Sequence, residues 1–433
     1  MKKNRKLIFI LCIALGLVCL AVNLFAASQY GHLEDIRAQQ AARKKALAQI
    51  QAADILGIDP DTVVVPDEVT LTRMDELVMA LQGARTLLMV LGIDLLIIGV
   101  GGILFSLYKA RGKAAGSDKK PGSGSNVLGI LIALLALCLD LAIASPVFLT
   151  GSNFLNVFQQ ISINFVVAVG MTFVIISGGI DLSVGSNIAL SGLLMGILMK
   201  NFGVPVPVTI IVCILFSGFI GLVNGVLISF LDLPPFIATL GTMSIVRGAA
   251  YTVTGGQPIY TFPTGFTAVS GRVAGIPLYS TLIMLAVILL GWYVLRYTRI
   301  GRFTYAVGGN ESCARLSGIN IRKVKCFVYL VSGLCCGVAS LLLSSRLDSA
   351  VPTNADGQEM DAIAAVVIGG TSMSGGEGSM IGTLIGILII GIIANGLNLL
   401  GVAQGPQKMV KGLIIVVAVI IDVIRRKASD SGA

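Results

Sequence analysis

Charged side chains are scarce in this chain, at 12% of its 433 residues, against about 25% in soluble domains. With 55% hydrophobic residues, most of the polypeptide must be dissolved in lipid. The chemistry of many enzymes is missing as well. The one histidine, His32, has no visible partner, and no Ser-His-Asp set or His/Cys cluster offers a reaction centre. No Gly-x-x-x-x-Gly-Lys-Ser/Thr phosphate loop occurs, so the chain is not expected to bind ATP itself. The eight cysteines (Cys12, Cys19, Cys138, Cys213, Cys313, Cys326, Cys335 and Cys336) form neither a zinc-like spacing nor an extracellular disulfide framework. They read as small packing residues, and neither a metal nor a cofactor is expected.

What is present is a series of apolar runs about 18–25 residues long, the length of bilayer-crossing helices; barrel strands would alternate instead. The net charge of +9 does not point to nucleic acid. The basic residues cluster beside the apolar runs, where they encode topology.

Lys2, Lys3, Arg5 and Lys6 precede a run over residues 7–27, either a retained first helix or a signal peptide; its length favours a retained helix. Residues 28–85 are polar, with nine acidic and six basic groups. They read as an external helical hairpin about Asp59-Pro60-Asp61, a spacer or a docking surface. A second span over 87–108 runs into Lys109, Arg111, Lys113, Lys119 and Lys120 within a Gly/Ser-rich stretch. Residues 109–126 thus read as a flexible cytoplasmic linker. The expected organisation is an N-terminal extension over 1–108, that linker, and a membrane domain over 127–433.

Within the membrane domain ten segments are expected: 127–149, 154–176, 186–199, 206–230, 235–254, 278–296, 326–343, 362–370, 380–402 and 409–424. The eighth is too short to span alone and is a candidate re-entrant segment. The loop from Arg296 to Lys325 carries seven basic residues against Glu311 and should be cytoplasmic. Six crossings from the linker reach it, and four more end inside at Arg425, Arg426 and Lys427. Both termini are then cytoplasmic. Arg247 is expected to reach the outer interface, and Trp292 and Tyr297 to anchor at an interface. The outer loop from Gly255 to Pro277 is a surface that could receive a soluble partner.

One stretch breaks the apolar pattern sharply: Gly178-Gly179-Ile180-Asp181-Leu182-Ser183-Val184-Gly185-Ser186. Each glycine costs about 1 kcal/mol against alanine in a helix, and an aspartate at the bilayer centre roughly 2.5–3.5 kcal/mol. Loosened backbone at that depth persists only inside protein or beside a cavity. Two readings follow: the wall of a permeation path, or a turn at a membrane face with Asp181 among the headgroups. A second break, Gly369-Gly370-Thr371-Ser372-Met373-Ser374-Gly375-Gly376-Glu377-Gly378-Ser379, has a similar pattern when Gly178-Gly179 is laid on Gly369-Gly370. Paired interrupted segments point to a transport site between internal repeats; chance in a chain of 52 glycines is the other reading. Asn224-Gly225 and Asn395-Gly396, each downstream of a break, weakly favour repeats. In the basic loop, Glu311 to Leu316 can form a short helix with Asn310 as its cap, closed near Gly318. It suits transmission of force from another protein, or simply fixes topology.

The motifs FVIISGGIDLSVGS (173–186), PPFIATLGTMSIVRG (234–248), GRFTYAVGGNESCARLSGI (301–319), DAIAAVVIGGTSMSGGEGSMIGTLIG (361–386) and NGLNLLGV (395–402) resemble the ribose/galactose-type sugar permeases of bacterial ABC importers. The likeness runs in unbroken order from about Asn126. It implies an all-α integral membrane protein of the inner membrane, with about ten transmembrane segments including broken or re-entrant helices; the two N-terminal spans here are extra. The implied partners are a cytoplasmic ABC ATPase, a periplasmic sugar-binding protein, a second copy of the chain and membrane lipid. The resemblance also carries roles. Gly178, Gly179, Asp181, Ser183, Gly185, Asn187, Gly369, Gly370 and Ser374 would lie along the translocation pathway. Gly309, Asn310, Glu311, Arg315, Ser317 and Gly318 would couple to the ATPase. No enzymatic activity is implied for this chain, and the N-terminal extension has no assignable counterpart. The alternative to an ABC permease is a lone ion-coupled carrier using Asp181 as its coupling site.

Overall fold

The computed structural model describes residue 42 and residues 134–430 other than 136, 144 and 272–276. The expected spans at 7–27 and 87–108, the hairpin, the linker and the first part of segment 127–149 lie outside the described residues. The chain divides into two units. Of the smaller, the described residues are 42, 139–143, 145 and the turn 397–402, closed by the Val402 N–H on the Leu397 carbonyl at 3.0 Å. The larger unit carries the rest.

Its helices are α1 (Gly151–Ile176), α2 (Val184–Lys200), α3 (Val206–Phe230), α4 (Pro235–Thr254), α5 (Leu278–Tyr297), α6 (Arg299–Gly309), α7 (Glu311–Leu316), α8 (Ile321–Leu347), α9 (Gln358–Ile368), α10 (Met380–Leu399) and α11 (Gln404–Asp430). Nine of the ten expected segments coincide with helices, and α6 and α7 fold from the basic loop. Among the described residues, α1, α3, α4, α5, α8 and α10 are long and apolar enough to cross a bilayer. The chain is an all-α integral membrane protein. One short exception to helix is the antiparallel pair β1 (Ile259–Tyr260) and β2 (Ser349–Ala350), which ties the loop after α4 to the end of α8.

Local chemistry sets the boundaries. Pro235 opens α4 at a position where a missing N–H costs nothing, and Gly255 closes it at φ +60°. Thr298 ends α5 and starts α6, its hydroxyl accepting from the Gly301 N–H at 3.2 Å. Asn320 caps α8 in the same way, accepting from the Lys323 N–H at 3.1 Å.

Burial sorts the helices into a centre and a rim. In α1, 89% of the apolar stretch is buried, against 28% in α4 and in α5. Val166, Met171, Phe173 and Val174 of α1 pack with Val328, Tyr329 and Ala339 of α8 in the main core. The apolar side chains left exposed on α3, α4 and α5, such as Phe219, Ile237 and Leu289, have the composition of a lipid-facing surface. Helices α3 and α8 approach each other closely. A side chain at Gly221 would run into the Tyr329 carbonyl, and one at Gly333 into Ser217 and Gly218. Small residues let membrane helices approach to this degree, where lipid supplies no hydrophobic drive for association.

Candidate functional site

The first break is a helix stop followed by a buried polar knot. The Gly178 N–H reaches the Ile175 carbonyl at 2.9 Å and the Gly179 N–H reaches Val174 at 3.0 Å, with Gly178 at φ +81°. This is the Schellman closure, which needs a left-handed residue after the helix. Asp181 follows, 1% exposed. One carboxylate oxygen accepts from the Ser183 N–H at 3.0 Å and the Ser183 hydroxyl at 2.6 Å; the other accepts from the Ser332 hydroxyl of α8 at 2.7 Å. Ser183 in turn accepts from the Asn224 amide of α3 at 2.9 Å. One turn on, Asn187 donates to the Ser217 carbonyl at 3.1 Å and lies 2.9 Å from the Ser217 hydroxyl. The start of α2 is therefore pinned to α3 and α8 through side chains whose hydrogen bonds are internal. Gly185 packs directly on the Ala355 carbonyl and the Glu359 carboxylate, with no room for a Cβ.

The second break closes α9 identically. The Gly370 N–H reaches Val367 at 2.9 Å and the Thr371 N–H reaches Val366 at 3.1 Å, with Gly370 at φ +91°. The structural equivalence is thus Gly178 with Gly370, one residue away from the alignment that lays Gly178-Gly179 on Gly369-Gly370. The left-handed position fixes the register, and only one glycine of each pair occupies it. The same closure ends α4 at Gly255-Gly256, so it carries no argument for duplication. Gly369 packs on Gly382 of α10, and Ser374 is exposed.

The two breaks meet each other at the end of α6. The Gly376 N–H donates to the Ile176 carbonyl at 2.9 Å. Gly308 abuts that carbonyl and Gly376, leaving no space for a side chain, while Gly375 lies against Gly178 and the Gly308 carbonyl. The Tyr305 hydroxyl donates to the Gly378 carbonyl at 2.9 Å. The C-terminal end of α6 is a backbone wedge between both breaks.

Directly beyond it comes α7, capped as the sequence predicts: Asn310 Oδ1 accepts from the Cys313 N–H at 2.9 Å, and Gly318 takes φ +80°. Glu311 pairs with Lys325 at 2.7 Å and with Arg315 at 3.4 Å. Ser317 donates back to the Cys313 carbonyl at 2.9 Å. Ala314 faces a small core with Val307, Ile321 and Val324, whereas Leu316 stands 89% exposed. Of the predicted residues, Gly178, Gly309 and the second break come together. Asp181 and Ser183 lie in the adjoining knot, and Arg315, Ser317 and Gly318 form an exposed tip.

Sequence reasoning missed a group of charges around the non-helical residues 351–357 that lead into α9. Lys408 and Lys411 of α11 pair with Asp356 and Asp361 at 2.8 and 2.7 Å. Arg247, expected at the outer interface, is half-buried and donates to the carbonyls of Pro352 and Asn354 at 2.5 and 3.0 Å. The signal was present as opposite charges heading the last two short apolar runs. Charges at run ends read most simply as flanks.

Helices too apolar for water, interrupted by buried polar breaks and joined by a basic loop that carries an exposed short helix, have the form of a polytopic membrane transport protein. The chain belongs to the family described as the permease component of the branched-chain amino acid transport system, whose model matches residues 153–419. It is 45% identical to the ribose import permease protein of Escherichia coli strain K12 over 300 residues, 67% of this chain and 92% of that protein. It is 46% identical to the ribose import permease protein of Bacillus subtilis strain 168 over 305 residues, 70% and 94% of the two chains. The D-allose transport system permease protein of Escherichia coli K12 is 36% identical over 325 residues, 73% and 98%. No solved structure matches.

Proposed function

We infer that this chain is the transmembrane permease subunit of a bacterial ATP-driven importer that passes a monosaccharide of the ribose, allose or galactose kind into the cytoplasm. Its relatives include a ribose import permease, a D-allose transport system permease and a galactose/methyl galactoside import permease. Such permeases are multi-pass inner-membrane proteins that work with a separate ATPase and a periplasmic binding protein and are not themselves enzymes. The observation that carries the mechanism is the wedge of Gly308 between Ile176 and Gly376. Force delivered to Asn310, Glu311, Arg315, Ser317 and Gly318 has a short backbone route to both breaks. Gly178, Gly179, Asp181, Ser183, Gly185, Asn187, Gly369, Gly370 and Ser374 then act as a flexible wall beside the translocation route. Two copies of the chain frame that route within the lipid, with both termini cytoplasmic. The exposed Gly241, Ser244, Gly248 and Thr252 on one face of α4 support close approach of a second copy.

An ion-coupled carrier is not favoured. Asp181 has both carboxylate oxygens committed to internal hydrogen bonds, and the relatives are import permeases of the kinds just named. The test is uptake of labelled D-ribose, D-allose and D-galactose into proteoliposomes holding the chain with its ATPase and binding protein. Uptake is expected to need ATP and to survive collapse of proton and sodium gradients. Uptake that persists after ATP depletion while a gradient remains would overturn the reading.

A further inference from the structure

A sugar crossing a bilayer needs hydrogen-bonding groups with capacity to spare, and the first break has little. Asp181, Ser183 and Asn187 are each 1% exposed, and their bonds run to neighbouring helices. The charges around residues 351–361 differ in kind. Asp356 and Lys408 pair with 62% and 67% of their side chains exposed, so each keeps open valences. Asp361 of α9 and Lys411, one turn further along α11 than Lys408, form a more sheltered pair. Beside them, Glu359 is 8% exposed and its Oε2 has no hydrogen-bond partner. Gln358 Oε1 is likewise buried without a partner, and its side chain lines a small cavity with Asn164 and Asp361. Unmatched buried oxygens cost free energy, and ionisable groups among membrane helices are functional candidates by default. The backbone here is constrained too, with Ala355 at φ +60° and Gly357 at φ +83°; such conformations gather where a site must be held in shape.

We propose that the sugar makes its polar contacts on this chain at the paired charges Asp356–Lys408 and Asp361–Lys411 and at Glu359, and not at the glycine breaks. Carboxylates accept from neighbouring sugar hydroxyls, and the lysines donate to hydroxyl and ring oxygens. Arg247 serves as a positioning residue, holding residues 352–354 by their carbonyls so that the carboxylates keep their places. This inference rests on the sugar-permease reading and names where that function contacts its substrate.

The experiment uses the full chain with its ATPase and binding protein in proteoliposomes, reading labelled D-ribose, D-allose and D-galactose uptake and ATP hydrolysis together. Asp356→Asn, Lys408→Gln and Glu359→Gln are each expected to cut uptake about tenfold or change the ranking of the three sugars, with hydrolysis within about twofold of the unsubstituted chain. The exchanged pair D356K/K408D keeps an ion pair but reverses its groups, and uptake is expected to stay low. Recovery of uptake in the exchanged pair would overturn the inference, since the charges would then serve only to hold the turn before α9 to α11. Uptake and ranking unchanged in all three single variants would overturn it as well. If the unsubstituted chain moves none of the three sugars, the functional reading itself fails, and that outcome is visible before any variant is made.

Discussion

The Ile176 carbonyl, the last of α1, accepts the Gly376 N–H at 2.9 Å, so a single backbone bond joins two breaks 200 residues apart in sequence. Gly308 covers that bond, which places the C-terminal end of α6 against both breaks at once. The exposed helix α7 follows after one residue, Asn310. A tilt of α7 is therefore expected to reach the places where the apolar helices are interrupted.

Left-handed backbone at the breaks gives a stability prediction. Gly178 stands at φ +81° and Gly370 at φ +91°, and an L side chain there costs about 1–2 kcal/mol. Gly178→Ala and Gly370→Ala are expected to lower the unfolding midpoint in detergent. Gly151→Ala, at an open helix start with nothing within 4 Å of the added carbon, is the control, and its midpoint should hold.

The carboxylate of Asp181 satisfies three donors from Ser183 and Ser332. Asp181→Ala leaves them facing nothing, at roughly 1–3 kcal/mol for each buried group left unsatisfied. Asp181→Asn retains one oxygen, and the Ser332 hydroxyl can turn to accept from the amide. Thermal unfolding should therefore rank the native protein above Asn and Asn above Ala. Neither change should give uptake a dependence on a proton or sodium gradient.

Two substitutions separate the fold of α7 from its surface. Asn310→Ala removes the cap on the Cys313 N–H, a loss of about 0.5–2 kcal/mol, and should fray the helix and lower ATPase stimulation. Leu316→Asp touches a side chain already 89% exposed. Stability should move by no more than about 0.5 kcal/mol, while the ATPase should copurify less well. Unchanged copurification would place the contact elsewhere.

Much of this architecture was legible in the sequence because lipid leaves a chain few options: among the described residues, the apolar runs from 154 onward became helices within about six residues of their expected ends. The break at Gly178 and the cap at Asn310 were legible for a related reason, since glycine and asparagine carry their backbone preferences with them. What the sequence could not show was convergence. Nothing in Gly308 or Gly376 says that they meet, because close backbone packing depends on the absence of side chains and leaves no pattern of its own. The charged pairs that join α11 to α9 and the turn before it were hidden differently. Lys408 and Asp356 look like ordinary flanking charges until folding brings them together. The two loop carbonyls that Arg247 meets were hidden in the same way, since nothing in residues 352–354 marks them as its partners.

The proposal that α6 links α7, as the helix that meets the ATPase, to both breaks is tested most directly by counting sugar molecules taken up per ATP hydrolysed by Gly308→Ala in proteoliposomes with the partner ATPase and binding protein. The added carbon must displace Ile176 or Gly376, so hydrolysis should continue while the ratio falls about tenfold. A folded variant that keeps the native ratio would contradict the account.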